Sequence, residues 1–192
     1  MINPFPGEAV RRFLAGTTER NRYLFALVNA QRAVVMADDA VGGLVEVDRG
    51  IVDAALDSCW AAAKVVPDDR LRQHVDPLYG RMLPDWDEAY SPYHSAVNDA
   101  LAGLVYAIES STGPDPTASA YFAASSMVDL ADHLLHRNRV DYVDDLAAVP
   151  IMAFAAQCVT ADLERLQRDV ADPSDLRRRA IDEGHHIASL AP

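Results

Sequence analysis

Apolar side chains recur every three or four residues through most of the chain, the spacing that lines one face of an α-helix, and proline, glycine and aspartate interrupt it at intervals. Residues 7–15 form a short first helix with Val10, Phe13 and Leu14 on one face. Thr17 or Thr18 then caps a longer helix reaching about Asp38, with Tyr23, Phe25, Leu27, Val34 and Val35 among its apolar positions. Gly42-Gly43 marks the next loop, and Asp48 is an N-cap for a helix that buries Ile51, Ala55, Leu56, Cys59 and Ala63. Asp68, after Pro67, caps a short helix containing Leu71 and Val75.

Residues 76–90 read as a loop, broken by Pro77, Gly80 and Pro84 and anchored by Trp86. Ser91-Pro92 and Asp115-Pro116 each supply a cap followed by proline in the first turn, where its missing N–H costs little; the second of these helices extends to about His136. A long helix is expected from about Pro150 to Val170, a short one after Asp172-Pro173, and a flexible C-terminal tail from about 184. The β-branched stretches 45–47 and 140–143 are too short and too charged to build a sheet. The pattern therefore predicts an all-α fold: a single-domain helical bundle of about seven helices over residues 1–192.

Composition narrows the picture. Half of the 192 residues are hydrophobic, enough for a folded core that removes about 70% of the unfolded surface from water. The net charge of −12 argues against a nucleic-acid partner, because phosphate binding needs clustered cations. Lys64 is the one lysine, and Arg177-Arg178-Arg179 reads as a solvated helix face. The first residues lack the basic start and apolar run of a signal peptide. The longest uncharged stretch, 146–161, contains Pro150 and falls short of the roughly 20 residues that span a bilayer. Cys59 and Cys158 sit in apolar helical patterns, which suits reduced thiols. A cytoplasmic protein with no membrane partner and no cofactor is expected.

The densest candidate chemistry is Asp129-Leu-Ala-Asp132-His133-Leu-Leu-His136, where spacings of three and four place carboxylates and imidazoles on one helix face. Di-iron bundles repeat such a motif on a paired helix, and this chain has no second copy; a solvated helix end, followed by Arg137-Asn138-Arg139, is the favoured reading. His185-His186 lies near the terminus, and Asp38-Asp39 with Glu46 and Asp48 lacks the alternation of a calcium loop. Ser110-Ser111 and Ser125-Ser126 have no nucleophile-elbow context, so no catalytic residue is assigned. Asp99, beside Asn98 in the apolar run 95–109, needs a partner if buried; Arg32 is the expected one, as a carboxylate–guanidinium fork. Asp57, three residues before Trp60, is placed to accept the indole N–H or another donor.

These polar positions also carry a resemblance. Leu56-Asp57-Ser58-Cys59-Trp60, the upstream Phe25 and Gln31-Arg32, Asp48, and Ser95-Ala96-Val97-Asn98-Asp99-Ala100 are similar to the YjaG-type bacterial family, small cytosolic all-helical proteins of unknown function. The likeness covers residues 25–130, with an echo at 162–166. Gln31 stands where that family has glutamate, and 33–41 is less aromatic, which makes this a divergent member. The resemblance implies the helical fold, the cytosolic setting and a recurring polar spot formed by Arg32, Asp57, Trp60 and Asp99. It implies no activity.

Two functional classes follow. The preferred one is a non-enzymatic interaction module, an acidic body that binds another, basic protein as an inhibitor or immunity-like protein does. The alternative is a metal-dependent enzyme using Asp129, Asp132, His133 and His136. Alanine-rich helix faces also allow a homo-oligomer.

Overall fold

The computed structural model describes residues 4–41, 49–64, 69–87, 92–136, 145–168 and 172–192. Among them are eight α-helices: α1 (Gly7–Gly16), α2 (Glu19–Val41), α3 (Arg49–Ala62), α4 (Val75–Tyr79), α5 (Pro92–Thr112), α6 (Pro116–His136), α7 (Pro150–Gln167) and α8 (Pro173–Ser189). Short 3-10 turns at Asp69–His74 and Leu146–Ala148 precede α4 and α7. The class is all-α; the short helix expected after Asp68 is instead the 3-10 turn Asp69–His74, which continues into α4 and so makes the start of the stretch read as a loop, 76–79, helical. No helix among the described residues is long and apolar enough to cross a membrane.

α2 is the axis of the bundle. Tyr23 to Val34 is buried at every position, as are Met36 and Ala37. A helix buried on all sides must be enclosed by others; α5, α6 and α8 lie along α2 and α7 touches it. Enclosure favours an internal partner for the fully buried polar side chains of α2. Asn21 Nδ2 donates to the Leu166 carbonyl of α7 at 2.9 Å. Tyr23 Oη donates to the Cys59 carbonyl of α3, also at 2.9 Å. Gln31 Oε1 accepts the Trp60 indole N–H at 2.9 Å. One of these bonds runs to α7 and two run to α3, so together they fix the rotation of α2.

The predicted caps at the described positions are formed. Thr18 Oγ1 accepts from Asn21 N, Asp115 Oδ1 from Ala118 N, and Asp172 Oδ1 from Ser174 N. The expected caps at Asp48, Asp68 and Ser91, the loop at Gly42-Gly43, Glu46, the stretches 45–47 and 140–143, the run Arg137-Asn138-Arg139 and the helix end at Val170 lie outside the described residues.

Two expectations are corrected. Trp86 does not anchor its loop: it is 83% exposed. The loop is held instead by Asn98 of α5, which accepts from Leu83 N at 3.1 Å and donates to Leu83 O at 2.6 Å. The C-terminus is not a short helix and a flexible tail from about 184. α8 runs 17 residues to Ser189 and buries Gly184, Ile187 and Ala188. Gly184 makes this possible, since a Cβ there would stand 2.8 Å from Val35 Cβ and 3.1 Å from the Arg32 carbonyl. Glycine lets the α8 and α2 backbones meet where any other residue would hold them apart.

Candidate functional site

Charged groups gather in three places: inside the bundle, on the outer ridge of α5 and α6, and in a groove between α3 and α8.

The interior cluster is built on Arg32, which is fully buried. Its Nη1 donates to Asp162 Oδ2 at 2.5 Å and to Asn29 Oδ1 at 3.2 Å, and its Nη2 reaches Asp162 Oδ1 at 3.1 Å. Nε donates to Glu183 Oε2 at 2.7 Å, and Nη2 also meets that oxygen. Arg179 completes the set, bonded to Asp162 Oδ1 and lying 3.4 Å from Glu183 Oε1. Two guanidiniums and two carboxylates cancel in charge, and they tie α2 to α7 and α8. Burial draws the Arg32 pKa down, but Asp162 and then Glu183 outweigh it and hold the guanidinium above its ordinary value. Burial pushes Cys158, beside this cluster, and Cys59, bonded to Tyr23, up to about 12. Both thiols are free and protonated at neutral pH, which makes them poor nucleophiles.

Asp99 is therefore not the partner of Arg32. It faces α6, where its Oδ2 lies 2.6 Å from His133 Nδ1. The cause is rotational: Asp99 sits on the outward stripe of α5, whereas Arg32 points from α2 toward α7 and α8. Trp60 likewise bonds Gln31 rather than Asp57, and Asp57 turns out to Arg177 at 2.6 Å. The polar spot expected from Arg32, Asp57, Trp60 and Asp99 is thus divided among three places. Its true members in the core, Asp162, Glu183 and Arg179, lie 130 or more residues from Arg32. Arg179 also departs from the solvated face assigned to Arg177-Arg178-Arg179, because it alone of the three turns inward. The local signal for it was the four-residue spacing from Arg179 to Glu183.

α5 and α6 run antiparallel, since Asp99 meets His133 while Tyr106 meets Phe122. Their outer ridge joins two kinds of chemistry. At one end Phe122, 47% exposed, lies against Tyr106 and Tyr121 with centroids 5.4 and 5.8 Å away. Phe5 meets the edge of Tyr121, and Arg11 lies over its ring at 4.5 Å. At the other end stand Asp99, Asp129, Asp132, His133 and His136. The hydrogen bond to Asp99 raises the His133 pKa, with the neighbouring carboxylates adding to it against the effect of burial. Burial raises that of Asp129, whose Oδ2 accepts from Ser125 Oγ at 3.1 Å. His136 Nδ1 lies 3.0 Å from the Asp132 carbonyl oxygen. Among the described residues no three or more His, Cys, Asp or Glu side chains are grouped to hold a metal ion. Sequence reasoning passed over the aromatic half of the ridge, because Tyr121-Phe122 lies in an alanine-rich run that reads as core.

His185 and His186 separate, as adjacent residues on a helix do. His185 Nδ1 lies 2.5 Å from Asp39 Oδ2, and His186 stands edge-on to Phe154 with centroids 4.6 Å apart. Asp38 pairs with Arg49.

No family model and no curated protein matches the chain. Among solved structures, a DUF416 family protein from Shewanella baltica OS155 is similar, with a TM-score of 0.68 and 16% sequence identity. The alignment covers 92% of this chain and 93% of that one, so the likeness in fold extends over nearly the whole molecule.

Proposed function

We propose that this chain is a non-enzymatic protein-interaction module that engages a basic partner through the outer ridge of α5 and α6. The observation carrying this reading is the ridge itself, where exposed Phe122, backed by half-buried Tyr106 and Tyr121, shares one face with Asp99, Asp129 and Asp132 at its other end. Interfaces concentrate their energy in aromatic anchors, and charged groups around the anchor steer the partner and set specificity. The excess of 29 acidic over 17 basic side chains adds a long-range field of the matching sign. An inhibitor or immunity-like role in the cytoplasm is the concrete form proposed. The shared fold is consistent with placing the chain among the families of unknown function that include DUF416 and, on the sequence resemblance, the YjaG type.

The test is retention from host lysate on immobilised protein, wild type against a Phe122→Ala/Asp99→Asn/Asp129→Asn variant, at low and high salt. A basic protein retained by wild type at low salt, released at high salt and lost by the variant is the expected result. An identical set of retained proteins on both baits overturns the reading. The metal-dependent alternative draws on one observation: His133 and His136 direct Nδ1 toward Asp99 and Asp132, the arrangement that orients an imidazole for metal ligation through Nε2. Zinc and manganese titration separates the two, since a metal site raises the melting temperature on saturation and a protein-binding ridge does not.

A further inference from the structure

Among the described residues three large apolar side chains stand exposed: Trp86, Phe122 and, at 48%, Tyr79. They come from different elements, yet each is tied to the outer stripe of α5. That stripe is Asp99, Ala102, Tyr106 and Glu109, half-buried positions recurring at spacings of three and four. Phe122 reaches it from α6, its ring centroid 5.4 Å from that of Tyr106. Tyr79 stands at the end of α4, which packs on α5 and α3 rather than along α6. Burial, and then the nearby Glu109 and Tyr106, raise the pKa of the Tyr79 hydroxyl, so this ring too borders the stripe.

Trp86 lies in the loop that follows, and that loop is fixed twice. Asn98, beside Asp99 on α5, bonds both backbone groups of Leu83. The Asp87 N–H then donates to the Pro84 carbonyl at 3.0 Å, closing a turn whose third residue is Trp86. A single apolar side chain on a surface needs no explanation, but three gathered along one stripe mark a place where a partner docks.

The charge along this strip is of one sign. Asp85 and Asp87 flank Trp86, Glu109 closes one end, and Asp99, Asp129 and Asp132 close the other. The two ends are about 15 Å apart along the axis of α5. Among the described residues the guanidiniums beside the strip are Arg11, Arg81 and Arg72, the last paired with Asp69. A negative surplus therefore remains even with His133 and His136 protonated.

We propose that the partner of this surface presents a basic amphipathic helix, with its apolar residues along the α5 stripe between Phe122 on one side and Tyr79 and Trp86 on the other. A helix sets apolar residues in a row about three turns long and carries cations to both ends of it, which is what the strip requires. The proposal rests on the protein-interaction reading above and adds Tyr79 and Trp86 to its surface.

Trp86 is the reporter, because Trp60 is buried and already shielded from water. The probe is a leucine–lysine peptide about four turns long with its leucines on one helical face, compared with a peptide of the same composition shuffled to scatter them. The amphipathic peptide should move the emission to shorter wavelength saturably, and Trp86→Phe should abolish the shift. By calorimetry, Tyr79→Ser/Trp86→Ser and, separately, Phe122→Ser should each weaken binding roughly tenfold or more while leaving every charge in place. Glu164→Gln, an exposed change on α7, should leave the affinity unchanged. No saturable shift, or equal binding of the shuffled peptide, overturns the proposal. Undiminished affinity in Tyr79→Ser/Trp86→Ser also overturns it, and with a loss in Phe122→Ser leaves the α5–α6 ridge reading standing. Lysate proteins retained equally by wild type and the ridge variant overturn that reading instead.

Discussion

Arg32 shows how one buried charge organises its surroundings. A fully enclosed guanidinium has lost its water and depends on the carboxylates of Asp162 and Glu183. Asp162→Ala leaves that charge uncompensated and should lower unfolding free energy by about 3–5 kcal/mol, measured by urea denaturation. Replacing the cluster as a unit, Arg32→Met with Asp162→Leu, Arg179→Met and Glu183→Gln, should restore much of that stability, because the penalty belongs to the unpaired charge. His133 makes a second residue-level case. Its pKa is raised by Asp99, with Asp132 and Asp129 also facing it, so the pair's contribution to stability is complete below the unfolded value of about 6.5 and is lost as pH rises through the folded value. The melting-temperature gap between wild type and His133→Gln should therefore be larger at mildly acidic pH than at pH 9. The need of Asp99 and Arg32 for partners was legible in the sequence, since each interrupts an apolar run. Which partner each takes was not, because helix rotation decides it and the partners lie far along the chain.

At the scale of elements, the helices with visible start signals are those that sequence placed best. Asp115-Pro116 and Asp172-Pro173 each encode a cap and a first turn locally, and both form as read. α8 was harder to delimit. Its second half, Asp182-Glu-Gly-His-His186, is polar and contains glycine, which reads as a frayed end. Only the presence of α2 at that point turns glycine from a weak helix former into the residue that permits contact. Gly184→Ala, favourable in an isolated helix, should therefore cost about 1–3 kcal/mol here by forcing α8 away from Val35. Thermal unfolding checks it. The loop before α5 gives the converse case: Trp86 looked like its anchor, but the amide of Asn98, with a donor and an acceptor for one backbone residue, does that work.

At the scale of the molecule, class and net charge followed from the sequence, whereas the distribution of charge did not. Arginines pair within the chain at Glu8, Asp38, Asp57 and Asp175, which neutralises much of the positive charge, while the α5–α6 carboxylates have histidine and serine neighbours and no arginine among the described residues. Lys64, Arg177 and Arg178 stand together between α3 and α8, where Asp57, Asp175 and Asp182 balance them. Surface ion pairs thus surround an interior whose own charges also cancel. This arrangement arises from folding, since Asp57 and Arg177 lie 120 positions apart.

The interior cluster also bears on the order in which the chain is made. Arg32 leaves the ribosome long before its partners, with 130 residues separating it from Asp162 and 151 from Glu183. At about 5–20 residues per second, roughly 8 to 30 s pass between synthesis of Arg32 and of Glu183. Throughout that interval α2 lacks α8, even after α5 and α6 have been made, and its guanidinium lacks the Glu183 carboxylate. The native core can therefore close only once α8 has been made, and a nascent chain held before that point remains an open intermediate within reach of chaperones.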